Sequence, residues 1–295
     1  MKIKTKRYHI YYWMQILFFF IRFIPLRCSL AVASVLGRIV FYLVRKHRDI
    51  AINNLNSVFV DGKHDAAVIA KRLFINLAKN GAEWVKLINS NNVDYGRLVT
   101  EEYGLDRLDE ALSGGRGAIV LTGHFGNWEL LMSYVKSKGY RGAVIGKRLY
   151  FHKYNDFINR LRLKTGDRVI YRDESPKKFL KVLRDGEIIG MLADQDISSV
   201  PGIFVEFFGK PAYTPVAPVK LSMASGAPIV PAFIIRKSDN THKVIFEKPI
   251  AVKKGDSVDE STVEYTMAWT KVLEKYIRDY PEQWVWIHER WKTKN

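Results

Sequence analysis

The sequence predicts an α/β fold in which a mostly parallel central sheet is flanked by helices. From residue 118 onward, short apolar runs alternate with amphipathic segments, and glycines close several of the amphipathic segments. Such alternation is typical of parallel sheets, because a helix carries the chain back between neighbouring parallel strands. The 295 residues suffice for one large domain, or for one domain with an appendage.

The predicted elements follow one another in a regular order. Residues 49–112 are predicted to be mostly helical, since apolar residues recur there at helical spacing. Strands are predicted at 118–122, 143–145, 169–171, 188–192, 228–235 and 243–246. Helices are predicted at 128–137, 154–163, 215–224 and 263–280, and another from Pro176, capped by Ser175, to Gly186.

Residues 1–48 are predicted to form a helical membrane anchor, and residues 49–295 the α/β domain. Basic residues precede an apolar, aromatic run over residues 10–25, and a second apolar run over residues 30–44 ends in further basic residues. Each run is marginal as an independent span, which needs about 20 apolar residues. Basic residues at both ends favour the cytoplasmic side for each end. We expect a membrane-seated helical pair or an interfacial anchor, with a single tilted span or a core hairpin as alternatives.

The charge of the chain favours an anionic partner. Its 47 basic and 30 acidic residues give a formal net charge of +17, which suits nucleic acid, an anionic membrane surface, or an acidic protein or substrate. The charge is spread along the chain and the aromatic residues lie in apolar runs, so we expect the membrane surface and no nucleic acid. The single cysteine, Cys28, excludes an intrachain disulfide, and no Cys/His cluster has zinc spacing.

The most informative segment is Leu121–Leu131, which follows the predicted strand 118–122. Its Gly-rich turn leads to Asn127, a plausible helix N-cap, and places Glu129 in the first helical turn, where the helix dipole favours a carboxylate. His124 lies in the preceding turn and could face Glu129. An imidazole held in one tautomer by a carboxylate can act as a general base. We therefore predict His124 as the base and Glu129 as the residue that orients it; a loop histidine without function is the alternative.

These residues carry a resemblance to a known family. His124 and Glu129 fit the H-x-x-x-x-D/E signature of glycerolipid acyltransferases, and the flanking residues resemble the bacterial late acyltransferases of lipid A biosynthesis, the lauroyl/myristoyl transferase family. The similarity runs in order along nearly the whole chain, and PEQWVWIHERWK at residues 281–292 is similar to that family's ending.

The resemblance implies a reaction and its partners. An acyl group would move from acyl carrier protein to a hydroxyl of a lipid A precursor or related glycolipid, at the cytoplasmic face of the inner membrane. No cofactor and no metal are expected. The same broad family includes enzymes that acylate phosphatidylinositol mannosides, so the acceptor stays open. A lipid thioesterase or hydrolase, in which water replaces the hydroxyl, is a further alternative.

Five residues are expected to bind substrate. An arginine at about this distance after the histidine is important in the family, and Arg160 matches it best, with Arg148 second; each could bind phosphate oxygens or belong to a solvated basic surface. Asp194 follows the strand 188–192 and corresponds to the family's third motif, where it would anchor an arginine or a turn. Backbone N–H groups at Gly126 and Asn127 are expected to stabilise the oxyanion.

The remaining motifs allow more than one interpretation. The segment 204–211 would form a wall for an acyl chain or part of the core, and 228–231 corresponds to the family's fourth motif but by pattern alone is an ordinary edge strand. Trp284, Trp286 and Trp291 would suit an interfacial belt or a nucleic-acid stacking patch, of which the amino-terminal apolar runs favour the belt, or a packed tail. Apart from His124, five histidines are predicted to lie on the surface: His9, His47, His64, His152 and His242.

Overall fold

The computed structural model describes residues 2–21, 23–60, 62–89, 93–149, 151–164, 168–253, 255 and 257–294, without the side chains of residues 2–7, 10, 88, 89, 160, 161 and 164. Its strands are β1 (Val99–Tyr103), β2 (Ala118–Thr122), β3 (Gly142–Gly146), β4 (Arg168–Tyr171), β5 (Ile188–Leu192), β6 (Gly202–Phe207), β7 (Lys210–Pro215), β8 (Ile229–Arg236) and β9 (His242–Phe246).

Helices precede, connect and follow these strands. They are α1 (Lys2–Ile21), α2 (Leu26–Leu43), α3 (Arg45–Val58), α4 (Ala66–Asn89), α5 (Tyr95–Leu98), α6 (Leu105–Ser113), α7 (Trp128–Ser137), α8 (His152–Lys164), α9 (Pro176–Arg184), α10 (Ala217–Ser225) and α11 (Val258–Asp279), followed by a short 3₁₀ turn, Pro281–Gln283.

Seven strands form one sheet in the order β1-β9-β8-β2-β5-β3-β4. Its neighbouring strands are parallel, except that β8 and β9 are antiparallel. The predicted mostly parallel sheet with flanking helices is therefore confirmed. The strands β6 and β7 form a separate antiparallel hairpin.

The sheet is buried on both faces because its central strands carry apolar residues on both. In β2, Ile119 and Leu121 join the larger apolar cluster, whereas Ala118 and Val120 face a second cluster across the sheet. Successive side chains of a strand point to opposite faces, so a run without polar residues is what a two-sided sheet requires. All eight residues of β8 are buried as well.

Several predicted boundaries agree with the structure. The bounds of β2, α7 and β5 are as predicted, Ser175 caps α9 through the N–H of Lys177, and Gly226 ends α10 in the left-handed conformation at φ 73°. These elements have strong local signals, a continuous apolar run or a cap and a stop residue.

Other predictions were wrong or incomplete. The strand β1 lies inside the segment predicted to be helical, and α11 begins at Val258, five residues before the expected position 263. Instead of an edge strand, β8 lies in the interior of the sheet between β9 and β2. The segment 204–211 belongs to the β6–β7 hairpin, with Val205 and Phe207 buried in the core.

The amino-terminal helices lie against the domain and expose apolar side chains. Gly37 of α2 allows close contact with α4, since a Cβ there would lie 2.7 Å from Cα of Ile75. Among the described helices, α2 alone is long and apolar enough to cross a membrane by length and composition, with a mean hydropathy of 1.6. Large side chains of α1 and α2 exposed at the surface include Trp13, Phe19, Phe20, Val35, Ile39 and Leu43. The boundary at residue 48 remains a prediction.

Candidate active site

His124 lies in the loop between β2 and α7, at the carboxyl edge of the sheet. β2 pairs in parallel with β5, and Thr122 lies opposite Leu192 at the ends of the two strands. Because both strands end at the same level, the loops that follow them, which carry His124 and Asp194, lie side by side. Ligand sites of open α/β sheets gather at this edge.

Asp194 holds the backbone and the ring of His124. Its Oδ1 lies 2.8 Å from Nδ1 of His124, and its Oδ2 accepts a hydrogen bond of 2.8 Å from the His124 backbone N–H. Nε1 of Trp284 donates to the same Oδ2 at 2.8 Å. Asp194 is buried, whereas 24% of the His124 side chain is exposed. The carboxylate therefore fixes the imidazole from behind and leaves its other side accessible.

The electrostatics of this pair favour one tautomer. Burial raises the pKa of Asp194, but the charge of His124, hydrogen bonds from its ring and backbone, and the Trp284 N–H outweigh burial and hold that pKa well below its ordinary value. An ionised carboxylate only accepts hydrogen bonds, so Nδ1 of His124 carries the proton that it donates to Asp194. The lone pair then lies on Nε2, the nitrogen that can accept a proton.

The expected contact between His124 and Glu129 is not the one that the structure forms. The carboxylate of Glu129 pairs with the guanidinium of Arg162 on α8, with 3.1 Å between Nε and Oε2 and 2.5 Å between the terminal nitrogen and Oε1. Glu129 lies in the first turn of α7, as predicted, but its carboxylate pairs with α8. The hydrogen-bond acceptor for Nδ1 of His124 is therefore Asp194.

Of the two backbone N–H groups expected to stabilise an oxyanion, that of Gly126 is also occupied. The N–H of Gly126 donates to the carbonyl of Gln283 at 2.9 Å. Asn127 is buried: its Oδ1 caps α7 by accepting from the N–H of Leu130, and its Nδ2 donates to Glu83 at 2.7 Å. The predicted N-cap is thus confirmed, but Gly126 and the Asn127 side chain are used in building the loop. The amides of Trp128 and Glu129, in the first turn of α7, have no intrahelical acceptor.

Of the two arginines predicted to bind substrate, the structure describes the side chain of Arg148 only. Arg148 follows β3, pairs with Asp173 at 3.2 Å and lies over the ring of Tyr171, with its side chain more than half exposed. The side chain of Arg160 lies outside the described residues. The described arginine of α8 that reaches the first turn of α7 is Arg162.

The carboxyl-terminal segment completes the site. Phe125 forms an isolated antiparallel bridge with Trp284, and the N–H of Val285 donates to the carbonyl of His124 at 3.1 Å. Trp284 and Trp286 are buried, so for these two residues the packed tail describes the structure and the interfacial belt does not. The carboxyl-terminal segment of the chain therefore supports the loop of His124 directly.

Sequence reasoning missed two residues of the site, Gln195 and His288. The amide nitrogen of Gln195 lies 3.1 Å from Nε2 of His124 and 2.6 Å from Nε2 of His288. Burial and the neighbouring charge of His124 lower the pKa of His288 to about 4, so this imidazole is neutral near pH 7. The sequence placed both residues in motifs, since Gln195 follows Asp194 and His288 lies in the characteristic ending. Neighbouring residues, however, did not indicate that either side chain would contact His124.

One further histidine is placed differently from the prediction. His242 is fully buried at the start of β9, with Nε2 3.1 Å from Oε1 of Glu83, and is not on the surface. Burial lowers its pKa, although the Glu83 carboxylate opposes that effect. His242 belongs to a network that includes Arg236 and the N-cap Asn127.

A cavity of about 370 Å³ adjoins the base. Gln195 and His288 form part of its wall, and both also contact or face His124. The remaining wall comes from the start of α3, from the residues that directly follow β3 and β4, from residues 196–199 after β5 and from the C-terminal segment. The imidazole is not itself part of the cavity wall, and Gln195 and His288 link it to this hollow at the carboxyl edge of the sheet.

Comparison with known protein families decides the classification. The family described as bacterial lipid A biosynthesis acyltransferase matches residues 1–293. The chain belongs to this family. The resemblance expected from the His124 motif and from the ending is therefore confirmed, and the match extends over the amino-terminal helices as well as the α/β domain.

Individual relatives include enzymes with different named acceptors. A phosphatidylinositol mannoside acyltransferase of Mycobacterium tuberculosis is 26% identical over 60% of this chain and 58% of its own length. The lipid A biosynthesis lauroyltransferase of Escherichia coli is 30% identical over 66% of this chain and 62% of its own length. A lipid A biosynthesis acyltransferase of Haemophilus influenzae is 24% identical over 96% of this chain and 87% of its own length. The matches thus span less than two thirds of the first two relatives.

Among solved structures, the 1-acyl-sn-glycerophosphate acyltransferase of Thermotoga maritima is similar over 83% of this chain and 97% of its own. The identity is 17% and the TM-score is 0.34.

Proposed function

We propose that this chain transfers a fatty acyl group from an acyl carrier protein thioester to a hydroxyl of a membrane glycolipid, such as a lipid A precursor. The observation that carries the proposal is the imidazole of His124, held at Nδ1 by the buried Asp194 and partly exposed at the sheet edge, where Gln195 and His288 link it to the cavity. Membership of an acyltransferase family supports the class of reaction.

In this mechanism Nε2 of His124 accepts the proton of the acceptor hydroxyl while that oxygen attacks the thioester carbonyl. The acceptor hydroxyl takes the place of the Gln195 amide, which lies 3.1 Å from Nε2. The new C–O bond forms, the C–S bond breaks, and the departing sulfur takes the proton from the imidazolium. Asp194 stabilises that imidazolium, and we assign the oxyanion to the amides of Trp128 and Glu129 in the first turn of α7, which have no intrahelical acceptor.

Glu129 acts in this scheme through Arg162. The pair joins the first turn of α7, where the amides lie, to α8. A two-pronged guanidinium–carboxylate contact fixes orientation as well as charge. We therefore assign Glu129 the positioning of this corner of the site, and Asp194 the orientation of the base.

A membrane location is supported by the outer surface of α1 and α2. Trp13, Phe20 and Leu43 are 71%, 62% and 74% exposed. Contiguous exposed apolar surface marks a membrane or protein interaction site, and the charge of +17 favours an anionic membrane surface and an acidic carrier protein. We propose the inner membrane, with the active site on the cytoplasmic side.

The test is a transfer assay with radiolabelled lauroyl–acyl carrier protein, with and without a lipid A precursor or a phosphatidylinositol mannoside as acceptor. His124→Ala is expected to lower transfer by at least about 10³-fold, because the base is lost. His152→Ala, at an exposed position on α8, is the control. Release of free fatty acid at equal rates with and without acceptor would contradict transfer and indicate a thioesterase.

A further inference from the structure

The cavity beside His124 is lined by positive charge. Lys46 lies at the start of α3, Lys147 and Arg172 directly follow β3 and β4, and Lys292 comes from the C-terminal segment. Four separate parts of the chain therefore bring four permanent cations to one hollow. His47 also lines it.

These cations are available to a ligand. Within the described residues, no carboxylate forms an ion pair with Lys46, Lys147, Arg172 or Lys292, and the side-chain contact of Arg172 is a long one, 3.5 Å to Oγ of Ser199. By contrast, neighbouring Arg148 is paired with Asp173. Like charges gathered without counter-charges repel each other, so the arrangement favours an anion between them.

The acids of the cavity do not neutralise it. Asp196 is buried and accepts two hydrogen bonds from Thr293, 2.8 Å from the backbone N–H and 2.6 Å from the hydroxyl. Glu289 is exposed at the rim. The two acids leave an excess of positive charge from the four Lys and Arg side chains.

We propose that this cavity binds a phosphate group of a substrate and so places the reacting atoms at His124. The inference rests on the proposed function. Its wall includes Gln195 and His288, which also contact or face the base, so a group bound there lies next to the site of acyl transfer. Lysine and arginine are the side chains that recognise phosphate oxygens.

Two substrates can supply this phosphate. The donor carries a phosphodiester at its phosphopantetheine arm, and a phosphorylated glycolipid acceptor carries a phosphate on its sugar. Because Lys46 follows α2 by only a few residues, the cavity also lies next to the helix that we propose at the membrane surface. Lysine and arginine side chains would bind the phosphate oxygens of either substrate in the same way, and binding experiments distinguish the two substrates.

The experiment measures binding by calorimetry to the full chain in detergent and low-salt buffer. The probes are 4′-phosphopantetheine against pantetheine, and glucosamine 1-phosphate against glucosamine. At least one phosphorylated probe is expected to bind on the order of tenfold more tightly than its phosphate-free counterpart. A preference for phosphopantetheine alone assigns the cavity to the donor, and a preference for the sugar phosphate alone assigns it to the acceptor.

Variants connect the preference to the cavity. Lys147→Gln with Arg172→Gln is expected to reduce the preference to less than about twofold, because two of the four cations are lost. The control, Arg184→Gln with Lys220→Gln, removes the same charge from exposed positions outside the cavity and is expected to keep the preference. If the first double variant does not fold, Lys46→Gln with Lys292→Gln, at exposed positions, replaces it.

Two results would overturn the proposal: no preference for either phosphorylated probe, or a preference that survives in both cavity variants. Binding of these probes requires no turnover. A wild-type chain that transfers no acyl group would therefore refute the proposed function without refuting the phosphate site. A chain whose acyl transfer depends on His124, but which shows no preference for either phosphorylated probe, would refute the phosphate site without refuting the proposed function.

Discussion

At the scale of residues, the site depends on how one imidazole is held. Asp194 accepts hydrogen bonds from both the backbone N–H and the ring Nδ1 of His124, and the indole N–H of Trp284 donates a third hydrogen bond to the same carboxylate. Three hydrogen bonds to a buried carboxylate keep it ionised against the cost of burial. The ring is thereby fixed in position and tautomer before any substrate arrives.

Asp194→Asn is expected to lower kcat for acyl transfer by about 10²–10⁴-fold with little change in KM, because an amide at this position no longer enforces the Nδ1–H tautomer. Steady-state kinetics with the carrier-protein donor measures the effect. Asp173→Asn, which removes the exposed partner of Arg148, serves as the matched control. A folded Asp194→Asn variant with wild-type kcat would show that another group orients His124.

At the scale of elements, the loop between β2 and α7 is shaped by its glycines. Gly126 has a φ of +56°, and a Cβ there would lie 1.8 Å from the carbonyl oxygen of Ile234 on β8. Gly123 lies against the Asp194 carboxylate, 3.1 Å from the position of a Cβ to Oδ2. At Gly126 the loop thus approaches β8 more closely than any residue with a side chain allows, and at Gly123 it leaves little room beside the Asp194 carboxylate.

Gly126→Ala is expected to reduce the free energy of unfolding by more than about 3 kcal/mol, since left-handed strain and a steric clash with the backbone add together. Gly115→Ala separates the two effects: its φ is +65°, but nothing lies within 4 Å of the added Cβ. That variant is expected to cost only about 1–2 kcal/mol. Chemical denaturation compares them, and equal losses would mean that the clash is relieved by a shift of β8.

At the scale of the molecule, a buried ionic network joins the helical layer to the sheet and the site. Glu83 of α4 pairs with Arg236 at the end of β8, with His242 at the start of β9 and with Asn127, the cap of α7. The Glu83 side chain is 1% exposed and that of Arg236 5%. Burial raises the pKa of Glu83, but the charges and hydrogen bonds of Arg236 and His242 outweigh burial and lower that pKa to about 2.

Glu83→Gln is expected to destabilise the fold by about 3–5 kcal/mol, because Arg236 would keep a buried charge without its counter-charge. Denaturation of the full chain in detergent near pH 7 measures the loss. Glu264→Gln, at an exposed position of α11, removes a carboxylate of the same kind and is expected to change stability by less than about 0.5 kcal/mol. Similar stabilities for the two variants would show that water or a neighbour compensates Arg236.

The comparison of sequence and structure separates local from distant information. The continuous apolar runs of β2 and β5, the caps Asn127 and Ser175 and the stop at Gly226 were all predicted, because each is recorded in a few neighbouring residues. The strand β1 and the β6–β7 hairpin were not predicted. β1 is half-exposed and lies in a stretch of helical periodicity. The apolar pattern of residues 204–211 was compatible with a wall for an acyl chain as well as with part of the core.

The sequence by itself determined the α/β class, the family and the histidine at the end of β2, since apolar periodicity, turn residues and a short motif are properties of adjacent positions. Only the tertiary structure decided which acid the imidazole meets. Asp194 is 70 positions from His124 and Trp284 a further 90 along the chain, whereas Glu129, five positions away, pairs with Arg162. The physical reason is that strand order and register, set by burial across the whole sheet, bring distant loop ends together at one edge.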